Sequence, residues 1–184
     1  MADEASQRES WWVLQAQSGS HEALNELFRS VQEPLFHYIV SLVRDQHQAE
    51  DILQEVFIRI YRKLRWLREP HAFRAWTYQI ASREAFRFLN RERRWSDQVR
   101  DEATLTALPA NDHEREFPRD LIESLPQLVE RLSPASRAVV VLFYLHELSL
   151  VETAAVLDIP VGTAKSRLAY GLESLRRTFQ REEK

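Results

Sequence analysis

The chain has 184 residues, of which 44% are hydrophobic and 29% are charged, and its formal net charge is -3. It contains no cysteine, which excludes disulfide bonds, thiolate zinc sites and thiol catalysis and fits a reducing compartment. A chain of this length forms one ordinary domain or two small ones.

The N-terminal sequence and the hydropathy pattern favour a cytoplasmic protein. The opening MADEASQRE carries early acidic residues and lacks the apolar core of a signal peptide, and no apolar run approaches the length of a membrane span. We therefore expect a cytoplasmic location without membrane insertion.

Apolar residues recur at three- and four-residue spacing over nearly the whole chain, and the chain has only 3 glycines. This spacing is typical of amphipathic helices, and no strand-like alternation interrupts it. The pattern predicts an all-α fold of two small helical bundles joined by an acidic flexible linker. We assign residues 1–94 to the first bundle, 95–119 to the linker and 120–184 to the second.

The first bundle is expected to open with scaffold helices. Ser20 is a suitable N-cap for a helix that runs through Gln32. Pro34 is expected to start a separate helix, because proline is favoured at the first helical position.

The next predicted helix, over residues 48–64, has one apolar face and one polar face. An isoleucine lies in the middle of the polar face, which indicates a protein partner rather than water alone. The residues of this face are Asp51, Gln54, Glu55, Ile58 and Arg62.

After Pro70, a long helix over residues 71–94 is rich in arginines and aromatic residues. Residues 59–94 contain 11 Arg and Lys against 3 Glu, a balance of +8. Exposed aromatic faces stack on unpaired bases and arginines bind phosphates, so the helix is a candidate site for single-stranded nucleic acid. The alternative, that the aromatic residues belong to the core, stays open at this point. The candidate contacts are Phe73, Arg74, Trp76, Arg83, Arg87, Arg91 and Arg94.

The following segment reverses the charge. Residues 95–123 contain 8 Asp and Glu against 3 Arg, a balance of -5, together with Pro109 and Pro118. Weak periodicity and these prolines predict a linker.

The second bundle is predicted to contain helices over residues 121–132, 134–145, 150–157 and 161–181. Ser149 and Glu152 have the spacing of a capping box, and Asp158 occupies a turn where a left-handed backbone is expected. The last two helices therefore match a helix-turn-helix. The inward stripe of the second is predicted to be Ile159, Val161, Ala164, Leu168, Leu172 and Leu175.

The remaining face of this last helix is suited to the major groove of DNA, where Arg and Lys donate to guanine and Ser and Thr contact bases or phosphates. A helical hairpin with a solvated basic face remains the alternative. The candidate DNA contacts are Pro160, Thr163, Lys165, Ser166, Arg167 and Tyr170.

Taken together, these segments resemble an extracytoplasmic-function (ECF) sigma factor, a promoter-recognition subunit of bacterial RNA polymerase in the sigma-70 family. AEDILQEVFIRIY at 49–61 is similar to the helix of this family that binds core polymerase, and FRAWTYQIA at 73–81 is similar to the part that recognises and melts the minus-ten element. LSPASRAVVVL at 132–142 and IPVGTAKSRL at 159–168 are similar to the reader of the minus-thirty-five element.

The resemblance implies a non-enzymatic protein that needs no cofactor and has three partners: core RNA polymerase, promoter DNA and an anti-sigma factor. It assigns Asp51, Gln54, Glu55 and Ile58 to the polymerase. The arginines of helix 71–94 and the loop before it would hold the opened minus-ten strand, and Lys165 and its neighbours would read the upstream duplex.

Two other classes of protein fit the sequence less well. A stand-alone helix-turn-helix regulator explains residues 149–181 but leaves the basic aromatic helix and the Asp51 face without a role. An enzyme is less consistent, because the six histidines show no metal-ligand spacing and no catalytic triad or carboxylate pair stands out.

Overall fold

The computed structural model describes residues 2–95 and 129–182, with side-chain environments for residues 6–92 and 129–177. Within those ranges every regular element is helical, as the sequence predicts. The α-helices are α1 (Ala2–Gln17), α2 (His21–Val43), α3 (Gln46–Lys63), α4 (Phe73–Trp95), α5 (Pro134–Tyr144), α6 (Leu150–Leu157) and α7 (Val161–Glu182). Short 3-10 helices lie at Leu64–Trp66, Pro70–Ala72 and Val129–Arg131.

The chain divides into two compact units, Met1–Arg87 and Phe88–Lys184, called here the N-terminal and C-terminal units. Of the predicted linker, Trp95 is the last residue of α4, and residues 96–119 lie outside the described residues. Of the helix predicted over residues 121–132, the described part begins at Val129, which starts a 3-10 helix.

The N-terminal unit packs α1, α2 and α3 side by side. The predicted cap is confirmed, since the Ser20 hydroxyl accepts a hydrogen bond from the Ala23 amide at 3.2 Å. The prediction that Pro34 starts a separate helix was wrong, because Pro34 lies inside the continuous helix α2. Leu27, Val31 and Leu35 are buried on one face across the proline, and this burial outweighs the backbone hydrogen bond that proline cannot donate.

A buried polar contact joins α2 to α4 at the centre of this unit. The hydroxyl groups of Tyr38 and Ser82 are 2.7 Å apart, and the Ser82 hydroxyl also donates to the Tyr78 carbonyl at 2.8 Å. Burial raises the pKa of Tyr38 and of Tyr78 above the ordinary value, so both phenols stay protonated in the fold.

In the C-terminal unit, α7 packs against α5 and α6. Gly171 permits the close approach of α7 to α5, because a Cβ atom at this position would lie 2.8 Å from Val140 Cγ2. Arg137 of α5 is 2% exposed and donates to three backbone carbonyls, those of Val129, Glu130 and Leu132, at 2.7 to 2.9 Å. Arg137 therefore fixes the 3-10 helix that precedes α5.

Candidate nucleic-acid and protein interfaces

The outward face of α3 carries an open groove of about 620 Å³ beside α2. Gln54, Ile58 and Arg62 line it, whereas the exposed residues Asp51 and Glu55 lie on α3 outside the lining. The structure thus brings together three of the five residues predicted for this face. The full lining is Phe28, Glu50, Leu53, Gln54, Phe57, Ile58, Tyr61 and Arg62.

Two aromatic residues of this groove were missed from the sequence. Phe28 of α2 stacks on Phe57 with ring centroids 4.7 Å apart, and Tyr61 is 59% exposed at the rim. Tyr61 follows Ile58 by three residues, so helical spacing could have found it. Phe28 lies on another helix, and no local pattern links it to α3. A concave apolar surface with a polar rim is suited to bind a protein partner.

The structure corrects one residue of the predicted strand-binding helix. Phe73 is only 1% exposed, so it belongs to the core and cannot stack on a base in this fold. It begins α4, where its side chain points into the bundle, and its ring centroid lies 6.3 Å from that of Trp76. Trp76 itself is half-buried, and Tyr78 is buried. The core interpretation of the aromatic residues therefore holds for Phe73 and Tyr78.

The predicted arginine contacts of α4 lie at the surface. Arg74, Arg83, Arg87 and Arg91 are all exposed. Arg91 lies over the Phe88 ring at 5.7 Å, and the side chain of Arg94 is outside the described residues. The exposed face of α4 therefore presents positive charge over several turns, which suits a phosphate backbone.

Two carboxylates with little exposure hold arginines on this surface. Glu9 of α1 pairs with Arg74 at 2.7 Å. Glu84 of α4 pairs with Arg87 on its own helix and with Arg59 of α3, whose Nε lies 2.8 Å from Glu84 Oε1. The Arg59 contact is an ion pair rather than a well-directed hydrogen bond. Sequence reasoning missed both carboxylates, because their partners on other helices lie 25 to 65 residues away.

The segment between α3 and α4 presents a further aromatic residue. Trp66 is 62% exposed, and the Arg65 guanidinium lies 3.8 Å from the centroid of its ring. A cation over an exposed indole keeps the ring in a defined position. The sequence indicated this loop as a whole but did not single out either residue.

The helix-turn-helix is formed by α6 and α7, and its local signals are confirmed. The Ser149 amide donates to Glu152 Oε2 at 2.8 Å and the Glu152 amide donates to the Ser149 hydroxyl at 3.2 Å, which completes the capping box. Asp158 has φ 55°, the predicted left-handed conformation. The turn then leads directly into α7.

On α7 the structure places the predicted DNA contacts at the surface to different degrees. Pro160, Lys165 and Tyr170 are exposed, whereas Thr163, Ser166 and Arg167 are half-buried. The Ser166 hydroxyl donates to the Gly162 carbonyl at 3.0 Å, so a DNA acceptor would compete for that proton.

The predicted inward stripe of α7 needs one correction. Val161 is 38% exposed, because it opens the helix ahead of Ala164, where α7 first enters the core with 0% exposure. Gly171 and Leu175 continue the buried stripe. The first turn of α7 therefore projects outward, as a helix that enters the major groove requires.

Within the described ranges, no helix combines the length and the apolar character that a membrane crossing requires.

Two family models match this chain. Residues 27–95 match Sigma-70 region 2 and residues 128–177 match Sigma-70, region 4. Similar proteins include the ECF RNA polymerase sigma-E factor of Escherichia coli strain K12, which is 33% identical over 89% of this chain and 90% of its own length. The RNA polymerase sigma-H factor of Pseudomonas aeruginosa is 32% identical over 91% of this chain and 92% of its own length.

Solved structures support the same fold. CnrH, in its complex with the cytosolic domain of CnrY, has a TM-score of 0.69 and 22% identity, and the match covers 94% of this chain and 97% of CnrH. The sigma factor RpoE of Bartonella quintana, in complex with the anti-sigma factor NepR, has a TM-score of 0.65 and 17% identity, covering 85% of this chain and 96% of RpoE. With both sigma-70 regions matched in order and relatives above 30% identity along their length, the chain belongs to the ECF sigma factors of the sigma-70 family.

Proposed function

We propose that this ECF sigma factor acts in the cytoplasm, binds core RNA polymerase through the groove beside α3, and directs it to promoters by binding DNA with α4 and α7. The chain itself carries out no catalysis and needs no cofactor, since the polymerase makes the RNA. Residues 1–94 would serve polymerase binding and the minus-ten element, residues 120–184 the minus-thirty-five element, and residues 95–119 would connect them.

The main support for polymerase binding is the groove beside α3. A regulator that acts on DNA alone needs the helix-turn-helix but has no use for a second, protein-binding surface. Here Phe28, Ile58 and Tyr61 meet in an open concavity with Gln54 and Arg62 at its edge. Partly exposed aromatic and arginine side chains around an apolar centre are the features that dominate the energy of protein interfaces. Asp51 and Glu55 would extend the contact along α3.

For DNA, the proposal assigns the opened minus-ten strand to the arginines of α4, namely Arg74, Arg83, Arg87, Arg91 and Arg94, with Trp76 available for contact at its exposed edge. Phe73 supports them from the core. The minus-thirty-five duplex would be read from the first turns of α7 by Pro160, Thr163, Lys165, Ser166, Arg167 and Tyr170. Arg and Lys at these positions can donate to base edges in the major groove.

We also propose an anti-sigma factor as a third partner. CnrH and RpoE were each solved in complex with a protein partner, and for RpoE that partner is an anti-sigma factor. A partner that covers the α3 groove would compete directly with core polymerase. Competition between the two for the groove is the expected signature of such regulation.

Transcription of fragmented genomic DNA from the organism that encodes the chain tests the proposal. Core polymerase is incubated with and without the protein, and the five-prime ends of the RNA are mapped. Discrete protein-dependent starts that share two upstream elements are expected. If no new starts appear although the protein alone binds duplex DNA sequence-specifically, the stand-alone regulator replaces the sigma factor function.

A variant in the α3 groove tests whether this groove is the surface that binds core polymerase. Ile58→Arg places a charge in the apolar centre of the groove, and we expect the affinity for core polymerase to fall by about tenfold or more. Gln32→Arg, at an exposed position of α2, is the matched control and should bind as the wild type does. Equal affinities of the two variants would exclude the groove as the docking surface.

A further inference from the structure

The segment that joins α3 to α4 is built from two short 3-10 helices, Leu64–Trp66 and Pro70–Ala72. Few backbone hydrogen bonds close their turns: the Leu67 amide donates to the Leu64 carbonyl and the Ala72 amide donates to the Glu69 carbonyl, each at 3.0 Å, and the Phe73 amide donates to the Pro70 carbonyl. Such short 3-10 turns have poor hydrogen-bond geometry and are weakly stable by themselves. The segment therefore depends on its neighbours for a defined shape.

Gln17, the last residue of α1, supplies an anchor for this segment. Its carboxamide nitrogen donates to the Leu64 carbonyl at 2.9 Å and to the Leu67 carbonyl at 2.8 Å. These two carbonyls belong to the first residue of the first 3-10 helix and to the residue that follows its end, so one side chain contacts both ends of the turn that carries Arg65 and Trp66.

The same helix also holds the residue that follows the segment. Glu9 lies two turns before Gln17 on α1 and pairs with Arg74, in the first turn of α4. Val13, between them, is fully buried and fixes α1 in the bundle. Helix α1 thus contacts the start of the segment through Gln17 and the residue two positions past its end through Glu9.

We propose that Gln17 is a positioning residue for the capture of the opened promoter strand. The inference rests on the proposed function, which places the arginines of α4, the helix that directly follows this segment, on single-stranded DNA. A segment that is ordered only on binding loses conformational entropy at that moment, and this loss weakens the complex. Gln17 orders the segment beforehand, so the exposed Trp66 and its stacked Arg65 are already in place when the strand arrives.

The test uses the holoenzyme of core polymerase and the full chain. Gln17→Met keeps the length and the apolar contacts of the side chain but removes both donated hydrogen bonds. The probes are separate labelled oligonucleotides of each strand of the minus-ten element, taken from one mapped promoter. We expect the strand that the wild type binds to dissociate about tenfold more readily from the variant, the loss that one or two net hydrogen bonds produce.

Further measurements separate positioning from general damage. Hydrogen exchange should accelerate at residues 64–67, while the affinity for core polymerase and for the minus-thirty-five duplex stays unchanged. Gln32→Met, the same substitution at an exposed position of α2, should behave as the wild type. A loss of core affinity in parallel with strand affinity would overturn the proposal, since Gln17 would then only maintain the bundle.

Gln17→Lys completes the experiment, because an ammonium group also donates hydrogen bonds to carbonyls. It should restore strand affinity to within about threefold of the wild type. Equal losses with Lys and Met, or no loss with Met, would show that the donated bonds do not position the segment. If the wild-type holoenzyme bound neither oligonucleotide, the proposed minus-ten role itself would fail, which is a different result.

Discussion

The surface arginines of α3 and α4 and the buried Arg137 of α5 are held in different ways. In the N-terminal unit, carboxylates hold them: Glu9 reaches from α1 to Arg74, and Glu84 bridges Arg59 of α3 and Arg87 of α4. In the C-terminal unit, Arg137 is buried and its guanidinium donates to three backbone carbonyls.

Arginines that pair with a carboxylate stay partly exposed and can still bind a ligand, whereas the guanidinium of Arg137 is bound by the backbone of its own unit. The side chains of Arg74 and Arg87 are 47% and 61% exposed, so a carboxylate orients each guanidinium while part of it still faces water. Arg137 is 2% exposed and has no surface to offer a ligand. We therefore expect changes at Arg137 to affect stability, and changes at Glu84 to affect mainly DNA binding.

The largest expected effect is at Arg137. Arg137→Met leaves three carbonyls with fewer partners in a buried place, which costs about 3 kcal/mol or more of unfolding free energy. Denaturant unfolding of the full chain, followed by circular dichroism, measures the loss. Arg177→Met is the control, because Arg177 is exposed and its partner among the described side chains is Glu173, on the surface of α7, so the change in stability should stay within about 0.5 kcal/mol. A loss below about 1 kcal/mol at Arg137 would contradict its structural role.

The second largest effect is expected at Arg167 of α7. Arg167 is half-buried with its Nε shielded from water, and within the described residues it has no carboxylate partner, in contrast to Arg74 and Arg87, so no ion pair competes with DNA for its guanidinium. Arg167→Ala is expected to weaken holoenzyme binding to the minus-thirty-five duplex by about 1–3 kcal/mol and to relax base preference at one or two positions. Competition with single-base variants of the duplex measures both effects.

Arg177→Met again serves as the control for Arg167. Arg177 lies on the same helix about 15 Å further on, at 1.5 Å per residue. The Arg177→Met substitution is expected to lower the affinity slightly for all DNA sequences alike and to leave the base preference unchanged. If both variants lowered affinity without changing base preference, Arg167 would be a phosphate contact and not a reader of sequence.

A smaller effect is expected at Glu84. Glu84→Gln removes the charge that orients Arg59 and Arg87, and we expect a loss of about 1 kcal/mol in stability, because the arginines are partly exposed and their pairing is screened. Binding of the minus-ten strand should become tighter at low salt and more salt-dependent, since a phosphate no longer competes with the carboxylate.

Glu92→Gln is the matched control for Glu84, with the same charge change at an exposed position of the same helix. The slope of the logarithm of affinity against the logarithm of salt concentration distinguishes the two variants. Identical slopes and stabilities would mean that Glu84 contributes only its charge and does not position the arginines.

The features that sequence predicted well are those that depend on near neighbours along the chain. The limits of α6, the capping box of Ser149 and Glu152, and the left-handed turn at Asp158 follow from residues within four positions of one another. The polar face of α3 also follows from helical spacing, which placed Gln54, Ile58 and Arg62 on one surface.

The features that sequence missed depend on partners far along the chain. Pro34 was expected to start a helix by a local rule, but the buried stripe of α2 continues through it. Its arginine neighbours make Phe73 a candidate strand contact, with the core as the open alternative, and its burial depends on the other helices of the bundle. Gln17 and Glu9 contact residues 47 to 65 positions away, and nothing in the spacing of α1 indicates those contacts.

The smallest prediction compares two buried threonines, one in each unit, and it tests whether a buried hydroxyl needs a partner. Thr77 and Thr153 are both 0% exposed. The Thr77 hydroxyl donates to the Arg74 carbonyl at 2.7 Å, whereas among the described residues the Thr153 hydroxyl has no hydrogen-bond partner. Threonine and valine have nearly the same shape, so the substitution removes the hydroxyl with little change in packing.

Thr77→Val should therefore lower the free energy of unfolding by about 1 kcal/mol, the net value of a hydrogen bond. Thr153→Val should raise the free energy of unfolding by about 0.5–1 kcal/mol, because it removes a desolvated hydroxyl that has no partner. Denaturant unfolding measures the sign of the stability change in each variant. Binding of the minus-thirty-five duplex should be unchanged by Thr153→Val, because the substituted side chain lies inside α6. A stability loss at Thr153 equal to that at Thr77 would mean that its hydroxyl is hydrogen-bonded in solution. Opposite signs would show that the helix-turn-helix carries an unsatisfied polar group at its centre, where the N-terminal unit satisfies the equivalent group from its own backbone.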